Sequence, residues 1–301
     1  MFARLCEEVG LRIKESKNEE GTKVSFADIE LDTRQRAIRL PNKTLLKAQT
    51  IVQSTREKAS VSLLELQWIT GYLTFASTVV PLGRTFLRRL YNMQLYFPPG
   101  SGQHRCHISS EARKDLAWWA EALAHSPQRS IALRKRKIIR PWSDAASTKG
   151  LGEYNTCPAP PYPQPDSVLS IALPSPRVHA REHINTEEKR AVEQILLYMG
   201  KSWEGKRLVM HTDNRAVSHG LVNGTIRGAS MTVLRWCLLL ATEYDLELEP
   251  IWISTNENAL ADVLSRFDHD RVTNLAPQLL PEVCRLPNHG LRRYSNRGSL
   301  D

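Results

Sequence analysis

The segment Lys137-Ile-Ile-Arg-Pro-Trp-Ser-Asp144 leads a short apolar run directly into a carboxylate. We predict a β-strand over residues 137–143 that enters Asp144. On its C-terminal side the pattern alternates between strands and helices in the order βββαβααβα. The further predicted strands are 149–155, 167–173, 207–212 and 246–253, and the predicted helices are 186–200, short turns after Asn214, 229–243 and 256–265. This order predicts an α/β domain with one mixed sheet.

Four acidic residues occupy related places in this pattern. Asp144 follows the central strand, and Asp213 ends another strand. Glu188 lies in the first turn of a helix on its core side, whereas Glu187 points about 100° away. Asp262 lies in the last short helix. We expect these four carboxylates, without Glu187, to converge at one edge of the sheet.

A carboxylate cluster of this kind suits hydrolysis of a phosphodiester. Two divalent ions about 3.5–4 Å apart activate a water molecule and neutralise charge on the leaving oxygen. Mg²⁺ prefers a few oxygen ligands. Clustered carboxylates repel one another and raise their own pKa values when no cation is present. The sequence therefore predicts a site for two Mg²⁺ ions, for which Mn²⁺ could substitute.

Three motifs carry a resemblance to a known family. Residues 138–268 resemble a type I ribonuclease H domain of the kind fused to reverse transcriptases, and the motifs are similar to those of DIRS-like retrotransposons. The motifs are Ile184-Asn-x-x-Glu188, Thr212-Asp-Asn214 and Asn258-x-Leu-Ala-Asp-x-Leu-Ser-Arg266.

The resemblance extends upstream to the end of the palm and the thumb or connection region of those reverse transcriptases. The segments are Phe26-Ala-Asp-Ile-Glu-Leu-Asp-Thr33, Arg39-Leu-Pro-Asn-Lys43, Ser62-Leu-Leu-Glu-Leu-Gln67 and Val80-Pro-Leu-Gly-Arg-Thr-Phe-Leu-Arg-Arg89. We expect a mostly helical thumb/connection-like region with a small β-hairpin over residues 1–136. Within it the patterns predict a helix over 1–11 and a strand over 23–32, with which residues 36–40 can pair as a hairpin. Ser62 with Glu65 forms a capping-box pattern, and Ser110 can cap a further helix. A ribonuclease H-like mixed five-stranded sheet with flanking helices is expected over 137–270, followed by a loosely ordered basic tail over 271–301.

By this resemblance, Asp144, Glu188, Asp213 and Asp262 form the catalytic, metal-binding set. The implied substrate is the RNA strand of an RNA–DNA hybrid, cut to leave a 3′-hydroxyl and a 5′-phosphate. The chain contains no Asp-Asp dipeptide, and we expect no polymerase activity from it. The resemblance implies a truncated reverse-transcriptase fragment. Its expected partners, besides the hybrid, are the missing reverse-transcriptase half or other retroelement proteins.

Two positions depart from the family pattern. Trp252 stands about where many relatives place a histidine, and His211 is expected to be a structural residue instead. Phe26-Ala27-Asp28 stands where relatives tend to show Phe-Leu-Gly. An alternative is therefore a catalytically inactive, nucleic-acid-binding relic. A third reading, a DNA-directed nuclease or integrase, is disfavoured by the fourth acid.

The positive charge is concentrated in residues 84–140, which hold 12 Lys or Arg and three acids. The remainder holds 29 of each, from 41−12 and 32−3. A basic surface attracts nucleic acid, although an acidic protein partner is the open alternative. The expected nucleic-acid contacts are Arg84, Arg88, Arg89, Arg134, Lys135, Arg136, Lys137 and Asn214. The run from Arg134 to Lys137 also resembles a nuclear-localisation patch, and we expect Trp118 and Trp119 to pack in the core.

No stretch approaches the roughly 18 apolar residues of a membrane helix. The N-terminal residues carry acid where a signal peptide needs an apolar run. The five cysteines are scattered and never form a Cys-x-x-Cys pair, which predicts reduced thiols. We expect a soluble, intracellular chain in the cytoplasm or nucleus.

Overall fold

The chain divides into two compact units, residues 1–133 and 134–301. The computed structural model describes residues 6, 8–10, 19–98, 104–132, 134–146, 150–156, 168–174, 183–226, 228 and 230–276. Among them, no helix is long and apolar enough to cross a bilayer.

The first unit combines helices with short strands. Two small sheets have the strand orders β1-β2-β3-β6 and β4-β5. The elements are β1 (Lys23–Phe26), β2 (Ile29–Asp32), β3 (Ala37–Arg39), α1 (Asn42–Glu57), β4 (Ser60–Ser62), α2 (Leu63–Ala76), a 3-10 helix (Gly83–Leu87), α3 (Arg88–Gln94), β5 (Arg105–His107), α4 (Ser110–Ala124) and β6 (Gln128–Ser130).

The prediction of one strand over residues 23–32 is wrong. The chain reverses at Ala27 and Asp28, and β1 pairs antiparallel with β2. Both turn residues have positive φ, 49° and 57°, which a two-residue hairpin turn requires. Val24 pairs with Leu31 and Phe26 with Ile29, so these four apolar residues share one face of the hairpin. The apolar period therefore shifts by one residue at the turn, and the interpretation of residues 23–32 as one continuous alternation missed this shift. β3 then pairs with β2 as predicted.

Helix caps and aromatic packing organise the first unit. The predicted capping box is confirmed, because the Ser62 side chain accepts from the Glu65 amide while Glu65 accepts from the Ser62 amide. The cap of α4 is Ser109 rather than the predicted Ser110. Trp119 is fully buried and donates from Nε1 to the Phe86 carbonyl, and Trp118 stacks on the Phe86 ring at 4.0 Å. Both tryptophans pack internally, as expected.

The second unit is built on a five-stranded sheet of order β11-β10-β7-β8-β9. Strands β7, β8 and β9 pair antiparallel, and β10 is parallel to both β7 and β11. The elements are β7 (Ile138–Ala146), β8 (Gly150–Thr156), β9 (Val168–Pro174), α5 (Ile184–Met199), β10 (Arg207–Thr212), α6 (Arg215–Asn223), α7 (Ser230–Glu243), β11 (Glu247–Trp252), α8 (Ala259–Ser265) and α9 (His269–Leu275).

The predicted fold class of this unit is confirmed. Three antiparallel strands are followed by two parallel ones, with helices in the predicted order, and this is a ribonuclease H-like arrangement. One strand end is corrected: β7 continues to Ala146, so Asp144 lies inside the strand, paired with Gly152, rather than after it. The antiparallel partner extends the strand past the point where the apolar pattern stops.

The chain ends bear on two further predictions. The first five residues of the predicted tail, 271–275, are helical, because they belong to α9 (His269–Leu275). Residues 277–301 lie outside the described residues, as does most of the helix predicted over 1–11. The two units divide after residue 133, against a predicted boundary after residue 136.

A close approach of α8 to the sheet positions the acidic residues. A Cβ added at Gly152 would lie 2.2 Å from both the Ala261 carbonyl oxygen and the Ser265 amide. Glycine on β8 therefore allows the backbone of α8 to lie directly on the strand. Because Gly152 pairs with Asp144, this contact brings α8 beside the acidic position of β7.

Candidate metal centre

Three of the four predicted acids meet at the edge of the sheet. One carboxylate oxygen each from Asp144, Glu188 and Asp213 lies within 4.8 Å of the others. Asp144 comes from the central strand β7, and Asp213 directly follows the neighbouring parallel strand β10. Glu188 comes from the first turns of α5. Strand register and helix phase therefore bring these three carboxylates together.

The surroundings of these groups disfavour negative charge. Burial, followed by the charges of Asp144 and Asp213, raises the pKa of Glu188 to about 9. Burial also raises the pKa of Asp144 to about 6, although a hydrogen bond from Ser265 opposes the rise. A cation at this point would reverse that electrostatic penalty.

The donor set fits a hard divalent cation. The three side chains offer only carboxylate oxygens, which Mg²⁺ prefers. Glu188 Oε2 is buried, and no hydrogen-bond partner for it occurs within the described part of the chain. An unpartnered buried carboxylate oxygen is costly, and coordination to a metal ion would remove that cost.

Asp262 lies beside this group and is not one of the three. Its Oδ1 accepts from Arg266 Nε at 2.8 Å and pairs with Arg266 Nη2 at 2.7 Å. Its charge contributes to the raised pKa of Asp144, so it acts on the same site electrostatically. In this structure the Asp262 carboxylate is paired with the Arg266 guanidinium.

Two polar residues that the sequence reasoning did not single out hold the acids in place. Asn258 is fully buried, and its Nδ2 lies 3.1 Å from the Ser143 carbonyl oxygen and 3.4 Å from Asp213 Oδ1. The hydroxyl of Ser265, also fully buried, lies 2.7 Å from Asp144 Oδ2. Both belong to the Asn258–Arg266 motif. Ser265 is a polar residue on the buried side of α8, and this was a signal that could have identified it, whereas Asn258 directly precedes that helix.

Asn214 links α5, the helix that contains Glu188, to the start of α6, the helix that follows Asp213. Its Oδ1 accepts from the amides of Ala216 and Val217 at the start of α6, and its Nδ2 donates to Asn185 Oδ1 at 2.9 Å. Asn185 lies on α5 with Glu188, so this bond fixes α5 against the turn after Asp213. These contacts give Asn214 a structural role, and its contact with nucleic acid stays a prediction.

The predicted assignment of His211 agrees with its contacts. Its ring stacks on Trp142 at 4.2 Å, and its Nδ1 lies 3.3 Å from the Pro141 carbonyl oxygen. Burial lowers the pKa of His211. A neutral ring stacked against the sheet fits a structural residue.

Trp252 lies at the end of β11 next to Asp213. Its Nε1 donates to the Asp213 carbonyl oxygen at 2.8 Å. The guanidinium carbon of Arg215 lies over its ring, 4.4 Å from the centroid. The family resemblance implies a histidine at this position. The chain has an indole ring there instead, and the Arg215 guanidinium lies over that ring.

The predicted nucleic-acid contacts differ in their surroundings. Arg84, Lys135 and Lys137 are exposed. Arg89 pairs with Glu111 and, at 3.1 Å, with the buried Asp115. Arg136 pairs with Asp245 at 2.8 Å, and Arg134 pairs with the same carboxylate at 3.1 Å; Arg88 is half-buried. All seven contacts stay predictions, and Arg89, Arg134 and Arg136 would each have to leave an ion pair to make them.

No protein-family model matches the chain, and no curated protein matches it. Solved structures with similar folds include ribonucleases H. Ribonuclease H1 of the archaeon Halobacterium salinarum aligns over 44% of this chain and 98% of its own, at 13% identity and a TM-score of 0.35. The N-terminal ribonuclease H domain of Rv2228c from Mycobacterium tuberculosis aligns over 42% of this chain and 93% of its own, at 14% identity and a TM-score of 0.33.

A foamy viral protease–reverse transcriptase in complex with double-stranded DNA aligns over more of the chain. It covers 76% of this chain at 16% identity and a TM-score of 0.31, and this chain spans 38% of its length. Likenesses this distant transfer neither a function nor a residue role.

Proposed function

We propose that this chain is a Mg²⁺-dependent ribonuclease H that cuts the RNA strand of RNA–DNA hybrids. The observation that carries the proposal is the convergence of Asp144, Glu188 and Asp213 within 4.8 Å at the edge of a ribonuclease H-like sheet. Buried carboxylates without a compensating cation destabilise a fold, and their presence here indicates a site with a function.

These three carboxylates would hold the cations, with Asp262 as a fourth ligand. Divalent ions, when bound there, would supply activation of water and neutralisation of the leaving oxygen. Ser265 and Asn258 orient Asp144 and Asp213 through hydrogen bonds. Such supporting contacts to ligands commonly affect metal affinity by 10–100-fold.

Cation binding at this site would be coupled to the release of a proton. With a pKa of about 9, Glu188 holds a proton at neutral pH when no cation is present. Binding of a divalent ion would displace that proton, because a carboxylate ligand must be ionised. The buried glutamate therefore couples metal affinity to pH.

Recognition of the hybrid is supported by charge. The chain carries a net charge of +9, and Arg84, Lys135 and Lys137 are exposed. Contacts of this kind bind the phosphate backbone without reading sequence. Selection of a hybrid over duplex DNA would rest on groove shape and the 2′-hydroxyls.

We extend the proposal to the origin of the chain. Residues 1–136 would be the palm end and thumb or connection region of a DIRS-like reverse transcriptase, and 137–270 its nuclease domain. The upstream motifs and the helices of the first unit support this assignment.

The second candidate function is a nucleic-acid-binding protein without catalysis. Two observations favour it: Trp252 occupies the expected position of a histidine, and Arg266 pairs with Asp262. Both functions predict hybrid binding, and only the first predicts cleavage that requires a metal ion.

A substrate panel tests the two functions. The full chain is incubated with labelled RNA in a hybrid, the same RNA in duplex RNA, and a DNA duplex of the same sequence, each with Mg²⁺ or with EDTA. Ribonuclease H activity predicts Mg²⁺-dependent cleavage of the RNA in the hybrid only. Equal cleavage of the DNA duplex would contradict the proposal, and binding without cleavage would establish the second candidate.

A further inference from the structure

We propose that Arg215 and Trp252 form a phosphate-binding subsite beside the carboxylate cluster. Its ligand would be a backbone phosphate of the nucleic-acid strand that lies across the cluster. The inference rests on the proposed function, because it takes the substrate to be a polynucleotide.

Trp252 is fixed to the site through the backbone of Asp213. The bond from its indole Nε1 to the Asp213 carbonyl oxygen measures 2.8 Å. Its register partner on β10 is Thr212, the residue before Asp213. Trp252 is nevertheless 42% exposed, although its side chain is held by this hydrogen bond to Asp213. A large aromatic ring is thus held at the surface next to a candidate metal ligand.

Arg215 lies on this ring and has no acidic partner in the described residues. Its guanidinium carbon is 4.4 Å from the Trp252 ring centroid, and the residue is exposed. No carboxylate described in the structure forms an ion pair with it, in contrast to Arg266, which pairs with Asp262. The cation–π contact holds the charge in place and leaves it available for an external anion.

The chemistry of this pair suits a phosphodiester. Guanidinium presents planar N–H donors that match phosphate oxygens in bidentate geometry. The Arg215 guanidinium lies over the Trp252 ring. The N–H groups at the edge of the guanidinium can therefore donate to a second partner. Arg215 is two residues from Asp213, so a strand that places one phosphate at the carboxylates can place a neighbouring phosphate at the arginine.

The position beside the acids favours this ligand over a carboxylate of a protein partner. Asp144, Glu188 and Asp213 repel an acidic peptide, which brings no cation with it. A nucleic-acid strand approaches with divalent ions that neutralise the cluster. Arg215, held on the Trp252 ring, then adds a positive charge beside Asp213.

Hybrid binding in EDTA tests the subsite apart from cleavage. Fluorescence anisotropy would give the Kd of the full chain for a labelled hybrid at several salt concentrations, for wild type, Arg215→Ala, Arg215→Lys and Trp252→Phe. Lys201→Ala is the matched control, because Lys201 is exposed and lies past the far end of α5. The last residue of that helix, Met199, is about 17 Å along the helix axis from Glu188.

We expect Arg215→Ala to weaken binding about tenfold at low salt and to lower the slope of log Kd against log salt by about one. Arg215→Lys should keep the slope and weaken binding less. Trp252→Phe keeps a ring but loses the bond to Asp213, and should weaken binding without changing the slope. Lys201→Ala should match wild type.

A slope for Arg215→Ala equal to that of wild type would overturn the subsite, even if cleavage of the hybrid is intact. Hybrid binding with the expected slopes and no cleavage in Mg²⁺ would instead leave the subsite standing and reject the nuclease. Absence of hybrid binding by the wild-type chain would overturn the subsite directly. Melting temperatures of each variant would identify a change caused by unfolding.

Discussion

Glu188 shows how one side chain can be costly for folding and useful for binding. Burial and the charges of Asp144 and Asp213 all favour its protonated form, and one of its oxygens is buried without a hydrogen-bond partner among the described residues. Glu187, its neighbour, is also buried but does not belong to the group of converging carboxylates. Position in the cluster, and not burial alone, distinguishes Glu188.

We predict that Glu188→Gln stabilises the metal-free protein, and that the gain grows with pH. The unfolded glutamate titrates near its ordinary value of 4.5, whereas the folded pKa is about 9. The folded state therefore binds more protons than the unfolded state between these values, and the free energy of unfolding falls as pH rises. The measurement is urea unfolding in EDTA between about pH 5 and pH 8.

Glu257→Gln is the control for this prediction. Hydrogen bonds from Ser254 lower the pKa of Glu257, so its contribution is lost only as pH falls below the ordinary value of 4.5, outside the measured window. Its curve should run parallel to that of wild type. A Glu188→Gln curve that also runs parallel to wild type would contradict the assigned electrostatics.

Helix periodicity favoured Glu188 over Glu187 by placing only Glu188 on the core side, whereas the structure buries both side chains. The converging group contains Glu188, but the burial of Glu187 was not predicted. The contacts of Asn258 and Ser265 could not be predicted in this way. Each joins residues more than a hundred positions apart in the chain, Asn258 to Ser143 and Ser265 to Asp144. Such contacts depend on how α8 packs against β7, which a local pattern does not specify.

At the scale of elements, the site depends on the contact between α8 and β8. Gly152 lets the helix backbone lie against the strand, and this places Ser265 within hydrogen-bond distance of Asp144. The sequence predicted both elements and their order. It did not predict the contact, because a glycine within a strand pattern indicates a bulge or a close approach without naming the partner.

We predict that Gly152→Ala destabilises the second unit by about 1–3 kcal/mol or more, since the new methyl group must displace the backbone of α8. Differential scanning calorimetry would measure the loss. Gly71→Ala is the control, because Gly71 lies within α2 with no atom near an added Cβ. That change should stabilise the protein by roughly 0.5–1 kcal/mol, the usual gain from replacing a helical glycine. If both variants behaved alike, the close approach at Gly152 would not control the position of α8.

In the molecule as a whole, the net positive charge and the converging acids occupy different parts of the sequence. The net charge of +9 lies within residues 84–140, whereas the acids that converge all follow them. The charge count was predictable from composition. The number of positive charges that remain available for nucleic acid was not predictable. Ion pairs such as Arg89 with Asp115 and Arg136 with Asp245 join distant residues and neutralise part of the positive charge.

The fold of the second unit followed from the sequence more fully than the fold of the first. Its elements are long enough for periodicity to identify them, and their order restricts a mixed sheet to few topologies. The first unit contains strands of three or four residues and a reversal at Ala27 and Asp28. Such short elements carry too few positions for a pattern to separate one strand from two.

In the proposed function, cleavage of the hybrid depends on the carboxylates at the sheet edge. Single-turnover cleavage of a 5′-labelled RNA in a hybrid, with Mg²⁺ and excess protein, tests it by comparing Asp213→Asn with Asp270→Asn. Asp270 is an exposed acid on α9 outside the cluster. We predict that Asp213→Asn lowers the cleavage rate at least about 100-fold, while Asp270→Asn cleaves like wild type. Cleavage by Asp213→Asn at the wild-type rate would contradict the account.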